Sequence, residues 1–148
     1  APDGPAALGR ADGKPAYFFN DTVCLTQSDI REVQLAKAAI AAGIRLLCDR
    51  LGVAIGDIEQ VLIAGAFGNY MSPDSACTIG LLPKILREKI IPVGNAAGEG
   101  AKLAVREDFQ FELASRLAGE VEFLELANDP RFQDIFVDEL SFDSGEEE

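Results

Sequence analysis

The sequence predicts an α/β domain whose mostly parallel sheet is flanked by helices. Three observations lead there. Two short apolar runs, Val61-Leu62-Ile63-Ala64 and Ile90-Ile91-Pro92-Val93, each end in glycine. Segments of helical spacing separate them, as crossovers between parallel strands require. The 148 residues are 48% hydrophobic and 26% charged, enough to bury a core without a disulfide or metal staple.

Residues 1–16 are rich in Gly, Pro and Ala and have no hydrophobic period, so a linker or mobile arm is expected there. Order is expected from Tyr17. Tyr17-Phe18-Phe19 and Val23-Cys24-Leu25 flank Asn20-Asp21 in the manner of a hairpin or a bulged strand. Thr26-Gln27-Ser28-Asp29 is a T-x-x-D capping signal, and Ile30, Val33, Ile40, Ile44, Leu47 and Leu51 follow at helical spacing. A long amphipathic helix ending at Gly52 is predicted.

Within Ile58 to Phe67, the run Val61 to Ala64 reads as a strand buried on both faces. Ser72-Pro73 places a capping side chain before a proline at the first helical position, and Gly80 closes that short helix. Ile90 to Val93 is a second buried strand. Ala96 through Leu117 are mostly helix formers, divided at Asp108-Phe109 and stopped by Gly119. Val121 to Leu126 alternates like a half-exposed strand, and Asp129-Pro130 caps a last helix through Leu140. Residues 143–148 form an acidic tail expected to be solvated and disordered.

Lys and Arg number 13 against 25 Asp and Glu, a formal charge of −12 that argues against nucleic acid or an anionic membrane as partner. Histidine is absent, which removes Ser/His/Asp and Cys/His catalysis and histidine-ligated zinc. Cys24, Cys48 and Cys77 form no C-x-x-C, so they are expected to be small buried apolar residues with no metal or iron–sulfur cluster on this chain. This sparse usage and the lack of a signal or spanning segment lead us to expect a reducing cytoplasm. The first residue is Ala, and a piece of a longer polypeptide is expected.

Two glycine-rich junctions carry the candidate site, at the strand ends where ligands gather in parallel sheets. Gly65, Ala66, Phe67, Gly68 and Asn69 follow the first apolar strand, and Gly94, Asn95 and Gly98 follow the second. The first is neither a P-loop nor G-x-G-x-x-G, and the residues alone leave a structural turn and a ligand loop equally open. For the second, close helix packing is the simpler reading. Gln34 and Lys37 lie on a polar stripe of the first long helix, where a snorkelling lysine and a phosphate or ribose contact are both open.

In combination, Thr26-Gln27, Asp29 to Lys37, Ala64 to Tyr70, Ile79-Gly80-Leu81-Leu82-Pro83 and Pro92 to Gly98 resemble the C-terminal part of the reductive activators of corrinoid proteins. Their ATPase domain belongs to the superfamily of acetate and sugar kinases, heat-shock chaperones and actin (ASKHA). The resemblance covers 17–142 and implies one lobe of such a domain. It implies ATP with magnesium, shared with a missing lobe that holds the Asp-x-Gly-Thr phosphate loop, and an iron–sulfur cluster in a missing N-terminal domain. The implied partners are a corrinoid protein and the remaining domains of the parent polypeptide, with a second copy of the chain as a further candidate. The implied activity is an ATP-driven return of cobalt(II) corrinoid to cobalt(I), with this chain inactive alone. Gln34 and Lys37 are similar in spacing to the helical pair that holds the nucleoside in the chaperones, with Gln in place of an acid. A non-catalytic nucleotide-sensing module and a dehydratase-activator-like ATPase are the alternatives.

Overall fold

The computed structural model describes residues 7–106 and 108–142. The chain opens with an antiparallel sheet of β1 (Ala7–Ala11), β2 (Lys14–Phe18) and β3 (Cys24–Thr26), with β2 in the centre. The long helix α1 (Gln27–Leu51) follows. Next come β4 (Val61–Ala64), α2 (Gly65–Tyr70), α3 (Pro73–Thr78) and β5 (Ile90–Gly94), and β5 pairs parallel with β4. Helices α4 (Ala96–Arg106), α5 (Asp108–Glu120) and α6 (Phe132–Asp138) complete the chain. The architecture is α/β, with helices beside two small sheets and the parallel pairing confined to β4 and β5.

The arm expected over residues 1–16 is corrected where the structure describes it. Ala11 pairs with Lys14, which leaves Asp12-Gly13 as a two-residue turn with φ of 49° and 78°. Two positive φ values are what a tight hairpin of twisted strands demands, and Asp-Gly supplies them. Residues 1–6 and the acidic tail 143–148 lie outside the described residues. The second hairpin is as expected: β2 and β3 pair, and Asn20 Oδ1 accepts from the Thr22 and Val23 amides.

Helix α1 starts and stops where its signals stand. Thr26 and Asp29 form a reciprocal capping box, and Gly52 takes the left-handed conformation at φ 64°. Its buried face differs from the expected one. Lys37, Ala38, Ala41, Ala42, Gly43 and Leu46 are buried, whereas Leu47 and Leu51 are 46% and 73% exposed. Small side chains let α1 approach its neighbours closely. Ile40 and Ile44 flank that face and pack, with Val61, Ile63 and Met71, around Ala76, Cys77 and Leu82.

Strand β4 is covered on one face only, because Val61 and Ile63 turn to that core while Leu62 is 60% exposed. The strand expected over Val121 to Leu126 does not form. Its alternation finds no neighbouring strand; Val121 and Phe123 stand 75% and 85% exposed, and the segment ends in a 3-10 turn over Leu126–Asn128. The division of the long helical stretch into α4 and α5 agrees with the sequence, and α3 is capped by Ser72 with Pro73 at its start. Of the cysteines, Cys77 is buried, whereas Cys24 and Cys48 are half-buried.

Candidate functional site

The two glycine junctions converge at the carboxyl ends of β4 and β5. The ladder runs Val61 to Ile90, Leu62 to Ile91 and Ile63 to Pro92, then skips Val93 to pair Ala64 with Gly94. Pro92 has no amide proton to give the ladder, and the irregularity follows directly after it. Both strands then end on left-handed glycines, Gly65 at φ 70° and Gly94 at φ 61°.

Beyond Gly65 the chain forms the short helix α2, not an open loop. Gly68 faces the sheet: a Cβ there would overlap the Ile63 carbonyl oxygen and lie 3.2 Å from the Gly94 nitrogen. Its glycine serves backbone packing between α2 and both strands. Asn69 Oδ1 lies 3.2 Å from the place a Gly94 Cβ would take, which joins the two junctions. Gly65 differs, because nothing lies within 4 Å of its Cβ position. Phe67 and Tyr70, one turn apart on α2, are 61% and 89% exposed.

At the second junction Asn95 caps α4. Its Oδ1 accepts from the Gly98 amide at 3.1 Å, and a Cβ on Gly98 would collide with the Asn95 amide nitrogen. Gly98 therefore makes room for the cap. Gly65–Tyr70 and Gly94–Gly98 contain no carboxylate, lysine or arginine. Together they offer main-chain amides, two carboxamides and exposed rings, a surface that can hold a polar planar ligand but has no acid–base pair for moving its protons.

Gln34 and Lys37 are engaged elsewhere. Gln34 Nε2 donates to the Leu140 carbonyl at 3.0 Å, and Lys37 Nζ donates to the Ser141 carbonyl at 2.6 Å. Lys37 Nζ also lies 3.0 Å from the Cβ position of Gly80, at φ 73°. Neither Gly80, 43 positions on, nor the 139–141 segment, about a hundred positions on, is legible in the sequence as a neighbour of Lys37, since nothing local joins them.

The charged groups near α3 are structural. Asp74 accepts from Arg87 Nε at 2.6 Å, and this guanidinium holds the Asp74 carboxyl below its usual range. Burial raises the Cys77 thiol. Among the described residues no group of three or more His, Cys, Asp or Glu side chains is placed to hold a metal ion. No helix among them is long and apolar enough to cross a membrane.

A family model described as "C-terminal domain of RACo the ASKHA domain" matches residues 12–148. The "Corrinoid activation enzyme RamQ" of Eubacterium limosum is 41% identical over 115 residues, which are 78% of this chain and 19% of that protein. The "[Co(II) methylated amine-specific corrinoid protein] reductase" of Methanosarcina barkeri is 27% identical over 120 residues, 80% of this chain and 22% of that protein. A solved "Reductive activator for corrinoid,iron-sulfur protein" superposes with a TM-score of 0.78 at 30% identity, covering 88% of this chain and 22% of its own. The chain thus spans about a fifth of the length of these relatives.

Fold and glycine-lined strand ends together define an ASKHA-type α/β domain. The chain belongs to the family of RACo C-terminal domains, whose matched relatives are corrinoid activators and reductases.

Proposed function

We propose that this chain is the C-terminal lobe of an ATP-dependent reductive activator, and that it supplies one wall of a nucleotide site shared with a second lobe. The observation that carries this reading is the meeting of the Gly65–Asn69 and Gly94–Gly98 junctions at the ends of β4 and β5, beside the exposed rings of Phe67 and Tyr70. The space open at Gly65 suits close approach of a ligand to main-chain amides. The donor set fits a nucleoside better than a magnesium triphosphate, because neither junction holds a carboxylate or a cation. Phosphates and magnesium then fall to the second lobe, and this chain alone hydrolyses nothing. Gln34 and Lys37 join the nucleotide only in a conformation that frees them from Leu140 and Ser141.

The reaction served is the return of cobalt(II) corrinoid to cobalt(I), with electrons from an iron–sulfur domain elsewhere in the polypeptide and a corrinoid protein as partner. ATP binding would favour a conformation of the complex in which the corrinoid loses its axial ligand and becomes easier to reduce. A cytoplasmic setting and self-association of the parent belong to the same reading.

The test is ATP-dependent appearance of the cobalt(I) spectrum when the complete polypeptide meets a corrinoid protein and a reductant. Nucleotide binding is followed in parallel on the complete polypeptide and on this chain. Reduction with ATP and none without it supports the proposal. Equal reduction without nucleotide, or ATP hydrolysis by this chain alone, overturns it.

A further inference from the structure

Lys37 is the one charged side chain among the described residues that is almost wholly buried, at 1% exposure. Its ammonium lies between two segments remote in sequence. On one side it donates to the Ser141 carbonyl at 2.6 Å and stands 3.8 Å from Glu139 Oε2. On the other is the left-handed Gly80, where any side chain would press on Nζ. One turn before Lys37, Gln34 holds the Leu140 carbonyl; about two turns after it, Arg45 Nη1 donates to Glu139 Oε1 at 3.0 Å. Three donors of α1 thus take oxygens from three successive residues, Glu139, Leu140 and Ser141.

That segment continues α6, since the amides of Glu139 and Leu140 bond back to the carbonyls of Ile135 and Val137. A buried ammonium is costly without acceptors, but water replaces the strap's oxygens as soon as the segment lifts. Release therefore re-solvates Gln34, Lys37 and Arg45 and orphans none of them. Apart from the half-buried Leu140, the segment is held by polar contacts, and short segments with so little buried apolar surface open at low free energy.

We propose that Glu139–Ser141 is a strap that opens from α1 as a unit without unfolding of the domain, with Lys37 as its clasp. Closed, it commits Gln34 and Lys37 to its own carbonyls. Open, it presents an ammonium and a carboxamide beside the Gly80 turn. The inference rests on these contacts and is independent of the nucleotide reading.

Amine acylation of the native complete polypeptide, resolved by lysine with mass spectrometry, tests it. Lys102, its side chain 70% exposed and paired with Glu99 at 2.7 Å on the surface of α4, reports a solvent-accessible amine. Lys89 donates at 2.7 Å to the carbonyls of Gly56 and Ile58 and reports a lysine held away from the strap. Glu139→Ala removes the acceptor of Arg45 and the anion nearest Lys37, and Lys37 acylation is expected to rise about two- to fivefold. Lys89 and Lys102 should keep their rates, with the melting temperature almost unchanged. Ending the chain after Asp138 should bring Lys37 to the rate of Lys102. Lys37 acylation that is unchanged in Glu139→Ala, or that rises only in step with global unfolding, overturns the strap. Should the shortened chain fail to fold, Glu139→Ala decides alone.

Discussion

Gly68 and Ile63 approach so closely that no Cβ fits between them; an ideal one would overlap the Ile63 carbonyl oxygen and come within 3.0 Å of its carbon. Both atoms are backbone, as is the Gly94 nitrogen 3.2 Å away, so nothing nearby can swing aside. Gly68→Ala should therefore cost on the order of 1–3 kcal/mol or more, as overpacking does, and Gly68→Val should cost more still. Denaturant midpoints measure it. A Gly68→Ala protein as stable as the parent would refute the packing role, and nucleotide affinities of Gly68 variants need correction for the unfolded fraction.

Gly65 gives the cleaner functional test. With φ at 70° and open space at its Cβ position, Gly65→Ala carries a left-handed strain of about 1–2 kcal/mol and no collision. We expect ATP affinity of the complete polypeptide to fall several-fold among molecules that remain folded. Unchanged affinity at that position removes the β4–α2 junction from the nucleotide site.

Asp74 predicts the sign of an acid effect. Arg87 lowers its folded-state pKa, so the stabilisation is fully present above the ordinary carboxylate value of about 3.9 and is lost as pH falls through the lower folded value. Asp74→Asn should be less stable than the parent at neutral pH, and the difference should vanish towards pH 2. Thermal melts across that range measure it; a difference that persists or grows in acid contradicts the ion pair.

Thiol titration separates the cysteines. Cys77 is 2% exposed and its thiol is raised by burial, so at neutral pH it should react with a thiol reagent much more slowly than the half-buried Cys24 and Cys48. Denaturant should equalise the three. Fast labelling of Cys77 in native protein would contradict its place beside Ala76 and Leu82.

Signals that act within a few residues were legible in the sequence. Thr26 with Asp29 and Ser72 with Pro73 fix their elements through local hydrogen bonds and a preset φ, and the glycines after β4 and β5 through the positive φ that a missing Cβ allows. Asp12-Gly13 carried a hairpin signal as strong, yet the surrounding Gly, Pro and Ala made residues 1–16 read as an arm. On α1 the large residues suggested one face, while close approach selected the alanines. At the candidate site, the strand ends were readable but the reason for Gly68 was not, because its constraint comes from the backbone of Ile63 across the junction. The pairing of Gln34 and Lys37 with Leu140 and Ser141 had no local signal at all.

Helix α1 also has a mechanical meaning. Its 25 residues make a rod of about 37 Å. The capping box ties one end to β3, and at the other Asp49 Oδ2 accepts from Arg131 Nη1 at 3.3 Å, just before α6. The hairpin sheet and the start of α6 therefore sit at opposite ends of one stiff element, held about one rod length apart.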